Sequence, residues 1–367
     1  MPLRIAQLAP PFESVPPLGY GGTERVVSTL TEELVRRGHE VTLFASGDSH
    51  TAARLVPIVA ESLWHHDPPT NDFAPYQAAI FGTILDQLDA FDVVHSHLDY
   101  HGFALAHAPD CPFITTLHGR LDAPGLLPVY QAFAQLPLVS ISHAQRRPLA
   151  GANWVATVYH GIDLDAFRFS PRPGAYLAFL GRISPEKGLD VAIRVARRAG
   201  WPLKIAARPP LPFGHDPEVQ RDRDYYEHTV QPLLAEPGVE LVGEVGGEQK
   251  AAFLRDAAAL LFPIRWPEPF GLVMVEALAS GTPVIAFREG SVPEVIDHGV
   301  TGYVCHFEDE MVKAIDHLGA LDRATCRRTA ERRFSPAAMA AAYERVYARL
   351  LYSSQVRDTH ARALSAD

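Results

Sequence analysis

The chain has 367 residues, of which 47% are apolar and 21% are charged, the ordinary composition of a soluble globular protein. That length predicts two domains, each with its own hydrophobic core. The net charge of −10 excludes a general nucleic-acid binder, because contacts to phosphate groups need a basic surface.

Cysteine usage and hydropathy indicate a reducing, aqueous compartment. Cys111, Cys305 and Cys326 are far apart and form neither a disulfide framework nor a zinc motif. The N-terminal run MPLRIAQLAPP is short and ends in prolines, so it predicts a first strand and not a signal peptide. No apolar stretch approaches the length of about eighteen residues that a membrane span needs. The sequence therefore predicts a cytoplasmic protein without a transmembrane segment.

The first half of the chain alternates short apolar runs with segments of helical spacing. Strands are predicted at residues 4–8, 40–44, 92–95, 113–117, 138–141 and 154–158, and helices at residues 24–37 and 77–90. Residues 46–76 are rich in proline, histidine and aspartate and are predicted to form a long irregular insertion. Near-continuous apolar strands separated by helices indicate a parallel sheet that is covered on both faces.

The same alternation restarts at residue 175. Strands are predicted at residues 175–180, 203–206, 239–242, 258–262 and 284–286, and helices at residues 189–198, 248–256, 270–279 and 308–318. Ser335 as a helix cap and Pro336 at the first helical position predict a final helix over residues 336–352. The polar residues 353–367 are predicted to be a mobile tail.

These patterns predict an α/β protein with two doubly wound Rossmann-like domains. The first would span residues 1–165 and the second residues 166–335, joined near residues 162–174, where polar residues, proline and glycine break the periodicity. Sheets of this kind bind ligands at the carboxyl ends of their strands. Two such domains facing each other would leave a central ligand-binding cleft.

One stretch at residues 261–284, LFPIRWPEPFGLVMVEALASGTPV, combines several features of a ligand site. The two prolines that flank Glu268 suit a turn and a first helical position. Gly271 leaves bare N–H groups at a helix N-terminus, where the dipole favours phosphate. Glu268 and Glu276 stand roughly 12 Å apart along a helix, so their carboxylates could hold a sugar and a ribose that flank a diphosphate. A surface helix with two solvated glutamates is the alternative.

A second constellation follows the first strand of the second half directly. In the segment GRISPEKG, Arg182 and Lys187 lie across a strand-to-helix turn, so both could converge on one pair of phosphates. Arginine donates as a bidentate fork and lysine acts as a compact positive charge. Two solvated bases on a loop are the alternative, but a position at the carboxyl end of a strand favours ligand binding.

Glycines also open the first predicted helix. Gly21 and Gly22 in the segment GYGGTE place bare backbone at the helix N-terminus, where it can approach a diphosphate or a sugar. The segment does not match a dinucleotide fingerprint, because Glu24 occupies the third glycine position and a long loop separates the glycines from the strand. A flexible glycine-rich loop is an equally good interpretation of this segment alone.

Histidines follow two predicted strands of the first half. His118, in the segment TTLHG, could donate to a substrate oxygen, although a histidine satisfied within the core is the alternative. The run HSHLDYH, with His95, His97 and His101, matches no known metal motif, so no metal site is predicted. No Ser-His-Asp triad, nucleophile elbow or P-loop occurs in the sequence.

Together the motifs resemble those of family-4 glycosyltransferases of the GT-B fold, which are retaining, metal-independent and dependent on nucleotide sugars. The segments that carry the resemblance are GYGGTERVV, TTLHG, VYHGID, FLGRISPEKG, VGEV, EPFGLVMVEALASGTPVIA and GSVPEVI, in the family's order. The chain departs from the family at His160, where asparagine is usual, and at Ala207, where glycine is frequent. The proline-rich residues 209–216 are a further departure.

The resemblance implies a role for each motif. Glu268 would hold hydroxyls of the donor sugar and Glu276 those of the ribose. Arg182 and Lys187 would bind the diphosphate as leaving group, and His118 would contact the transferred sugar. Further donor contacts would come from Gly21, Gly22, Gly181, Gly243, Val245, Phe270, Gly271 and Leu272. The final helix would return to the N-terminal domain.

The implied reaction is front-face transfer of a hexose from a nucleoside-diphosphate sugar to an acceptor hydroxyl, with no cofactor and no metal. The N-terminal domain would bind the acceptor, a small molecule, a glycan or a lipid-linked molecule. Arg36, Arg37, Arg146 and Arg147 are candidates for contact with a membrane, but the acidic chain disfavours that contact.

Three other functions fit the same architecture. A nucleotide-sugar epimerase or a phosphorylase would use a similar pair of domains, although the sequence offers no identifiable lysine site for the pyridoxal phosphate of a phosphorylase. A non-catalytic nucleotide-sugar-binding protein is the third alternative. Two glutamates together with two bases argue against it, because a scaffold has no physical need for them.

Overall fold

The computed structural model describes residues 2–19, 21–65, 74–108, 111–123, 125–210 and 217–364. It divides the chain into two compact units. The first unit comprises the chain up to Ile162 together with the part from Pro336 onward, and the second unit is Asp163–Ser335. The division therefore falls at the beginning of the segment in which the sequence periodicity breaks.

The first unit is built on a seven-stranded parallel sheet. Its strands are β1 (Arg4–Leu8), β2 (Glu40–Ser46), β3 (Arg54–Val59), β4 (Val93–Ser96), β5 (Phe113–Thr116), β6 (Leu138–Ser140) and β7 (Trp154–Thr157). They lie in the order β3-β2-β1-β4-β5-β6-β7, and all pairs are parallel. The winding direction reverses between β1 and β4, the switch point at which sheets of this kind bind ligands.

Helices α1 (Gly22–Arg36), α2 (Ala74–Leu85) and α3 (Leu126–Ala132) accompany this sheet. Helix α1 buries Val26, Val27, Leu30 and Leu34, the apolar positions whose helical spacing predicts it. Burial of each such side chain stabilises the fold by roughly 1.5–3 kcal/mol. The helix lacks a side-chain cap at its N-terminus, so its first N–H groups depend on other partners.

The prediction that residues 46–76 are irregular is wrong for the six residues of β3, which pair with β2 in parallel. Pro57 obscured this strand, because proline cannot donate to a sheet ladder. At the edge of the sheet, where β3 lies, one side of the strand needs no donor and proline is tolerated. Residues 66–73 of the same segment lie outside the described residues.

The second unit is built on a six-stranded parallel sheet. Its strands are β8 (Leu177–Leu180), β9 (Leu203–Ala206), β10 (Val239–Gly243), β11 (Ala259–Phe262), β12 (Val284–Phe287) and β13 (Gly302–Cys305). They lie in the order β10-β9-β8-β11-β12-β13, with a switch point between β8 and β11. Strand β13 was not predicted, since its sequence GYVC begins with glycine, a residue depleted in strands.

The helices of the second unit are α4 (Leu189–Arg198), α5 (Pro217–Tyr225), α6 (Gln231–Leu233), α7 (Gly247–Arg255), α8 (Leu272–Ala279), α9 (Val292–Val295), α10 (Glu308–Asp316) and α11 (Arg323–Arg333). A π-helical turn, Tyr226–Val230, joins α5 to α6. Helices α5, α6, α9 and α11 were not predicted. Helix α11 has no apolar periodicity that could predict it, because it packs through polar groups. Its buried Arg323 donates to the carbonyls of Ser170, Ala257 and Arg255. The proline-rich residues 211–216 lie outside the described residues.

The C-terminal helix α12 (Pro336–Leu364) belongs to the first unit, as the family resemblance implies. It begins at the predicted Pro336 but continues past Tyr352, through residues predicted to be a mobile tail. No proline or glycine interrupts the sequence from 353 to 364, so nothing in it ends a helix. Residues 365–367 of the tail lie outside the described residues. Tyr343 and Tyr347 are almost fully buried in the first unit.

Two Rossmann-like domains with parallel sheets were predicted, and this fold class is confirmed. None of the helices within the described residues is long and apolar enough to cross a membrane.

Candidate active site

At the switch point of the second sheet, a lysine and a glutamate from different loops form an ion pair. Gly181 and Arg182 directly follow β8, and Lys187 ends the short helical turn Pro185–Lys187. Glu268 lies in the loop that follows β11. The Nζ atom of Lys187 donates to Oε2 of Glu268 at 2.7 Å, and their side chains are only 21% and 11% exposed. A charge-assisted bond this well shielded from water is stronger than a surface ion pair.

Trp266, which was not predicted as a site residue, fixes the geometry of this pair. Its indole Nε1 donates to the same Oε2 of Glu268 at 2.9 Å. The Lys187 ammonium lies 5.1 Å from the centroid of the Trp266 ring and 5.9 Å from that of Phe262, within reach of cation–π attraction. Oε2 thus receives both bonds, while Oε1 of Glu268 accepts none from the residues that the structure describes.

Backbone contacts clamp the loop that carries Glu268. Gly290 has a φ of +53°, and a Cβ there would lie 2.3 Å from the backbone N and O of Glu268. The next residue, Ser291, donates its N–H to the Glu268 carbonyl and its hydroxyl to the Phe270 carbonyl, both at 2.9 Å. The GSVPEVI segment therefore acts as a support for the Pro-Glu-Pro-Phe-Gly loop.

Helix α8 begins at Leu272, later than predicted, with Gly271 in the left-handed conformation before it. The two prolines lie in the preceding loop and not at a first helical position, because the chain must reverse at Gly271 (φ +76°) before the helix can form. No side chain caps α8. Phe270 is buried, so at this end of the helix Phe270 offers a ligand its backbone and not its side chain.

Glu276, one turn into α8, is also paired with a lysine that was not predicted. Its Oε1 accepts from Lys250 Nζ at 2.5 Å, and the two side chains are 6% and 16% exposed. Lys250 belongs to α7 and lies 5.5 Å from the centroid of the Phe167 ring. Removal of either partner would leave an uncompensated, mostly buried charge.

Arg182 is held differently from Lys187. Its Nη2 donates to Glu186 Oε1 at 2.6 Å, and its Nε lies 3.4 Å from Asp222 Oδ2. Arg221 of α5 contacts the same two carboxylates. The side chain of Arg182 is 52% exposed. Convergence of Arg182 and Lys187 on one phosphate pair stays a prediction.

Two further predicted donor contacts lie at the carboxyl end of β10. Gly243 is the last residue of that strand and has a φ of +85°. Val245 follows in the loop that leads to α7, and both residues are half-buried. Their backbone groups are at the same edge of the sheet as the loops after β8 and β11.

In the first unit, Gly21 and Gly22 stand at the N-terminus of α1 as predicted. A Cβ on Gly21 would lie 2.7 Å from Pro17 Cβ, so the turn has no room for a side chain. Tyr20 lies outside the described residues. Glu24 of the first turn is buried, and burial raises the pKa of its carboxyl to about 7.

His118 follows β5 in the first unit and belongs to a group of four histidines. Its Nε2 lies 2.8 Å from Nδ1 of His97, and its ring stacks on that of His160 with centroids 5.1 Å apart. The rings of His95 and His97 are 4.1 Å apart. Both nitrogens of His95 and both of His97 have hydrogen-bond partners in the protein. Among the described residues, no group of three potential ligands could hold a metal ion.

Burial keeps these four histidines neutral at pH 7. It lowers the pKa of His95 and of His118 to about 3, and lowers the pKa values of His97 and His160 well below the ordinary range. The closeness of the rings adds to this effect, because each charged imidazole would repel the others.

Acidification from pH 7.5 to 5.5 should therefore destabilise the first unit. The histidines bind protons in the unfolded chain below about pH 6.5 but not in the folded one. Each of them therefore lowers the free energy of unfolding by roughly 1 kcal/mol over that range. The raised pKa values of Glu24 (about 7) and Asp99 (about 6) act in the opposite direction. A net fall of about 2 kcal/mol in the free energy of unfolding is expected from urea titrations at the two pH values. His160→Asn should reduce that fall, and stability that rises on acidification would contradict the prediction.

Two Rossmann-like domains with parallel sheets are the architecture that the resemblance to GT-B glycosyltransferases implies. Residues 165–333 match the family described as glycosyl transferases group 1, and residues 20–166 match the one described as glycosyltransferase family 4. The chain belongs to the family-4 glycosyltransferases.

Known proteins agree with this assignment. The D-inositol 3-phosphate glycosyltransferase of Mycobacterium tuberculosis is 28% identical over 382 residues, which cover 86% of this chain and 75% of that protein. The crystal structure of AviGT4, a glycosyltransferase involved in avilamycin A biosynthesis, is similar with a TM-score of 0.69 at 27% identity, covering 96% of this chain and 99% of that one. HepE of Anabaena, solved with UDP-glucose, shares the fold with a TM-score of 0.68 at 19% identity, over 96% of this chain and 100% of that one.

Proposed function

We propose that this protein is a retaining hexosyltransferase that uses a nucleoside-diphosphate sugar. The observation that carries the proposal is the shielded Lys187–Glu268 pair at the switch point of the second sheet. A cation and a hydroxyl acceptor held side by side match a ligand in which a sugar adjoins a diphosphate. HepE, whose structure contains UDP-glucose, supports a nucleotide sugar as donor. A cytoplasmic location fits an enzyme that consumes such donors.

In this proposal the second unit binds the donor. Oε1 of Glu268, which has no partner among the described residues, accepts from the sugar hydroxyls, and Glu276 accepts from those of the ribose. Lys187 and the N-terminus of α8 face the diphosphate, with Arg182 as the second cation. Backbone at Gly181, Gly243, Val245, Phe270, Gly271 and Leu272 completes the donor contacts.

The first unit binds the acceptor and contributes its own contacts to the donor. Gly21 and Gly22 offer bare N–H groups at the N-terminus of α1 to the diphosphate. His118 contacts the transferred sugar. The relative named for inositol 3-phosphate makes a phosphorylated polyol one acceptor class to test, beside glycans and lipid-linked acceptors.

The reaction proceeds on one face of the sugar. The bond from the anomeric carbon to the diphosphate oxygen breaks, and its electron pair leaves with the diphosphate. Lys187 and Arg182 stabilise the negative charge that develops on this leaving group. Fixed charges lower the barrier most where charge develops in the transition state. The acceptor oxygen bonds to the anomeric carbon from the same face, and its proton passes to the departing phosphate oxygen.

Thermal shift followed by a transfer assay tests the function. One nucleoside diphosphate out of UDP, ADP and GDP should raise the melting temperature, because a ligand that binds the folded state stabilises it. Its glucose conjugate should then release the nucleoside diphosphate only when an acceptor is present, and the product should keep the anomeric configuration of the donor. Inversion would contradict the retaining mechanism, and acceptor-free epimerisation or phosphorolysis would support the other enzyme classes. Binding without turnover across the acceptor panel would indicate a binding protein.

A further inference from the structure

His118 lies at the end of a buried chain of hydrogen bonds that begins on β1, an interior strand of the first sheet. Gln7 of β1 is fully buried, and its Oε1 lies 2.7 Å from Nε2 of His97. The other ring nitrogen of His97, Nδ1, lies 2.8 Å from Nε2 of His118. The chain thus runs from a side-chain amide through one imidazole to the next.

The amide of Gln7 gives this chain a direction. Its Nε2 donates to the hydroxyl of Tyr347 at 3.4 Å, which leaves the carboxamide oxygen facing His97. A distance of 2.7 Å is usual for an N–H···O hydrogen bond. In this orientation the amide oxygen, and not the NH₂ group, meets the His97 ring.

The positions of the hydrogens follow from this direction. An amide oxygen only accepts, so Nε2 of His97 carries the hydrogen, and Nδ1 of the neutral ring is an acceptor. Nε2 of His118 must then donate to it. The hydrogen of the neutral His118 ring is thereby used, and its Nδ1 keeps a lone pair. That Nδ1 is buried and has no hydrogen-bond partner among the described residues.

We propose that Gln7 and His97 are positioning residues that hold His118 with its hydrogen on Nε2, so that Nδ1 accepts a hydrogen bond from a hydroxyl of the transferred sugar. This inference rests on the proposed function for the identity of the ligand. It reverses the expectation from sequence that His118 donates to a substrate oxygen. A second consequence concerns the sugar: replacing the contacted hydroxyl with fluorine, which accepts but cannot donate, should abolish the contact.

His95 provides a matched control for this chain. It is as buried as His97 and lies two residues before it, but its ring nitrogens bond to Tyr347 (2.8 Å) and Thr116 (2.7 Å). It makes no hydrogen bond to His118. Substitution of either histidine removes a buried imidazole from the same sheet, whereas only substitution of His97 removes the acceptor for His118 Nε2.

The test combines nitrogen-15 NMR of the histidine rings with kinetics on the full chain. In the ligand-free wild type, Nδ1 of His118 should give the resonance of an unprotonated nitrogen. His97→Leu should mix the two tautomers and lower kcat about tenfold, the effect of one lost hydrogen bond, with the donor KM little changed. His97→Asn, whose Oδ1 lies near the place of Nδ1, should restore both. His95→Leu should leave the His118 tautomer unaltered.

Each outcome bears on the inference. A protonated Nδ1 in the wild type overturns it, even if the variants do not fold, as does a His118 tautomer that is the same in His97→Leu or that moves equally in His95→Leu. The NMR measurement needs no substrate. Absence of transfer by the wild type with every donor would overturn the proposed function instead.

Discussion

Substituting Lys187 with alanine should lower kcat for sugar transfer by roughly 10²–10³-fold, the loss that accompanies removal of one fixed charge from a developing anion. Negative charge accumulates on the diphosphate only as its bond to the sugar breaks. In the proposed reaction, Lys187 would therefore stabilise the transition state more than the bound donor. The effect should appear mainly in kcat, with a smaller rise in the donor KM. Steady-state kinetics with the donor identified by thermal shift measure both.

Two further variants separate this role from a general loss of charge. Lys204→Ala removes a lysine of the same unit that is paired with Glu240 near the surface, and it should leave kcat within about twofold of the wild type. Lys187→Arg keeps the charge but not the compact ammonium that fits between Glu268 and Trp266, so recovery should be incomplete. An unchanged kcat in Lys187→Ala would make the proposed donor site wrong.

The alanine substitution also unpairs Glu268, so its folding must be checked. Oε2 of Glu268 would keep the bond from Trp266 Nε1 but lose the charge that balances it. Loss of one such partner costs about 1–3 kcal/mol. Melting temperatures of the variant and of Lys204→Ala should therefore be measured, and the kinetic assay should be run well below both, where both proteins are folded.

The sequence located the central strands well because they are buried on both faces. Strands β1, β4, β8 and β11 are apolar runs in the middle of each sheet, and such runs need no periodicity to be recognised. The edge strands β3 and β13 carry less of this signal, although the edge strands β7 and β10 were predicted. Strand β3 contains a proline and β13 begins with a glycine, so neither was predicted.

The same limit applies to helices that pack through polar groups. Helix α11 has the sequence RATCRRTAERR, in which no apolar stripe repeats. Its contact with the rest of the unit depends on the buried guanidinium of Arg323, whose hydrogen bonds to backbone carbonyls satisfy it. Sequence periodicity cannot register that kind of packing.

The topology of the second sheet allows the Lys187–Glu268 contact to be predicted from sequence, but not the contact of Glu276 with Lys250. Lys187 and Glu268 follow strands that are neighbours in a doubly wound sheet, so their motifs are expected at one edge. The partner of Glu276, Lys250, comes from a helix outside any quoted motif. Its identity depends on how α7 packs against α8, which spacing along the chain does not specify.

The hydrogen bonds of His95, His97 and His118 could not be predicted either, because spacing along the chain does not specify their partners. Tyr347 reaches His95 from the far end of the chain, since α12 returns to the first unit. The spacing of HSHLDYH can indicate a metal site at most, but ring nitrogens that already hold hydrogen bonds to Gln7 and Thr116 are not available to a metal. Hydrogen-bond partners, and not spacing, decided the role of these side chains.

The two glutamates of the proposed donor site should respond differently to the same substitution. Glu268→Gln keeps the shape of the side chain but removes the charge that pairs with Lys187, and its amide is a poorer acceptor for sugar hydroxyls. Those hydroxyls lie next to the carbon that reacts, where alignment affects the barrier directly. We expect kcat to fall about 100-fold.

Glu276→Gln should instead raise the donor KM by about tenfold and change kcat little. The ribose is remote from the breaking bond, so its contacts stabilise the bound donor and the transition state equally, and such uniform binding energy appears in KM. Each substitution removes the carboxylate of a mostly buried ion pair, Glu268 with Lys187 or Glu276 with Lys250. The two variants should therefore lose similar stability, and each serves as the stability control for the other. Kinetics with variable donor at saturating acceptor distinguish the two effects. Equal losses of kcat in both variants would contradict the separate roles, because a ribose contact has no reason to act only in the transition state.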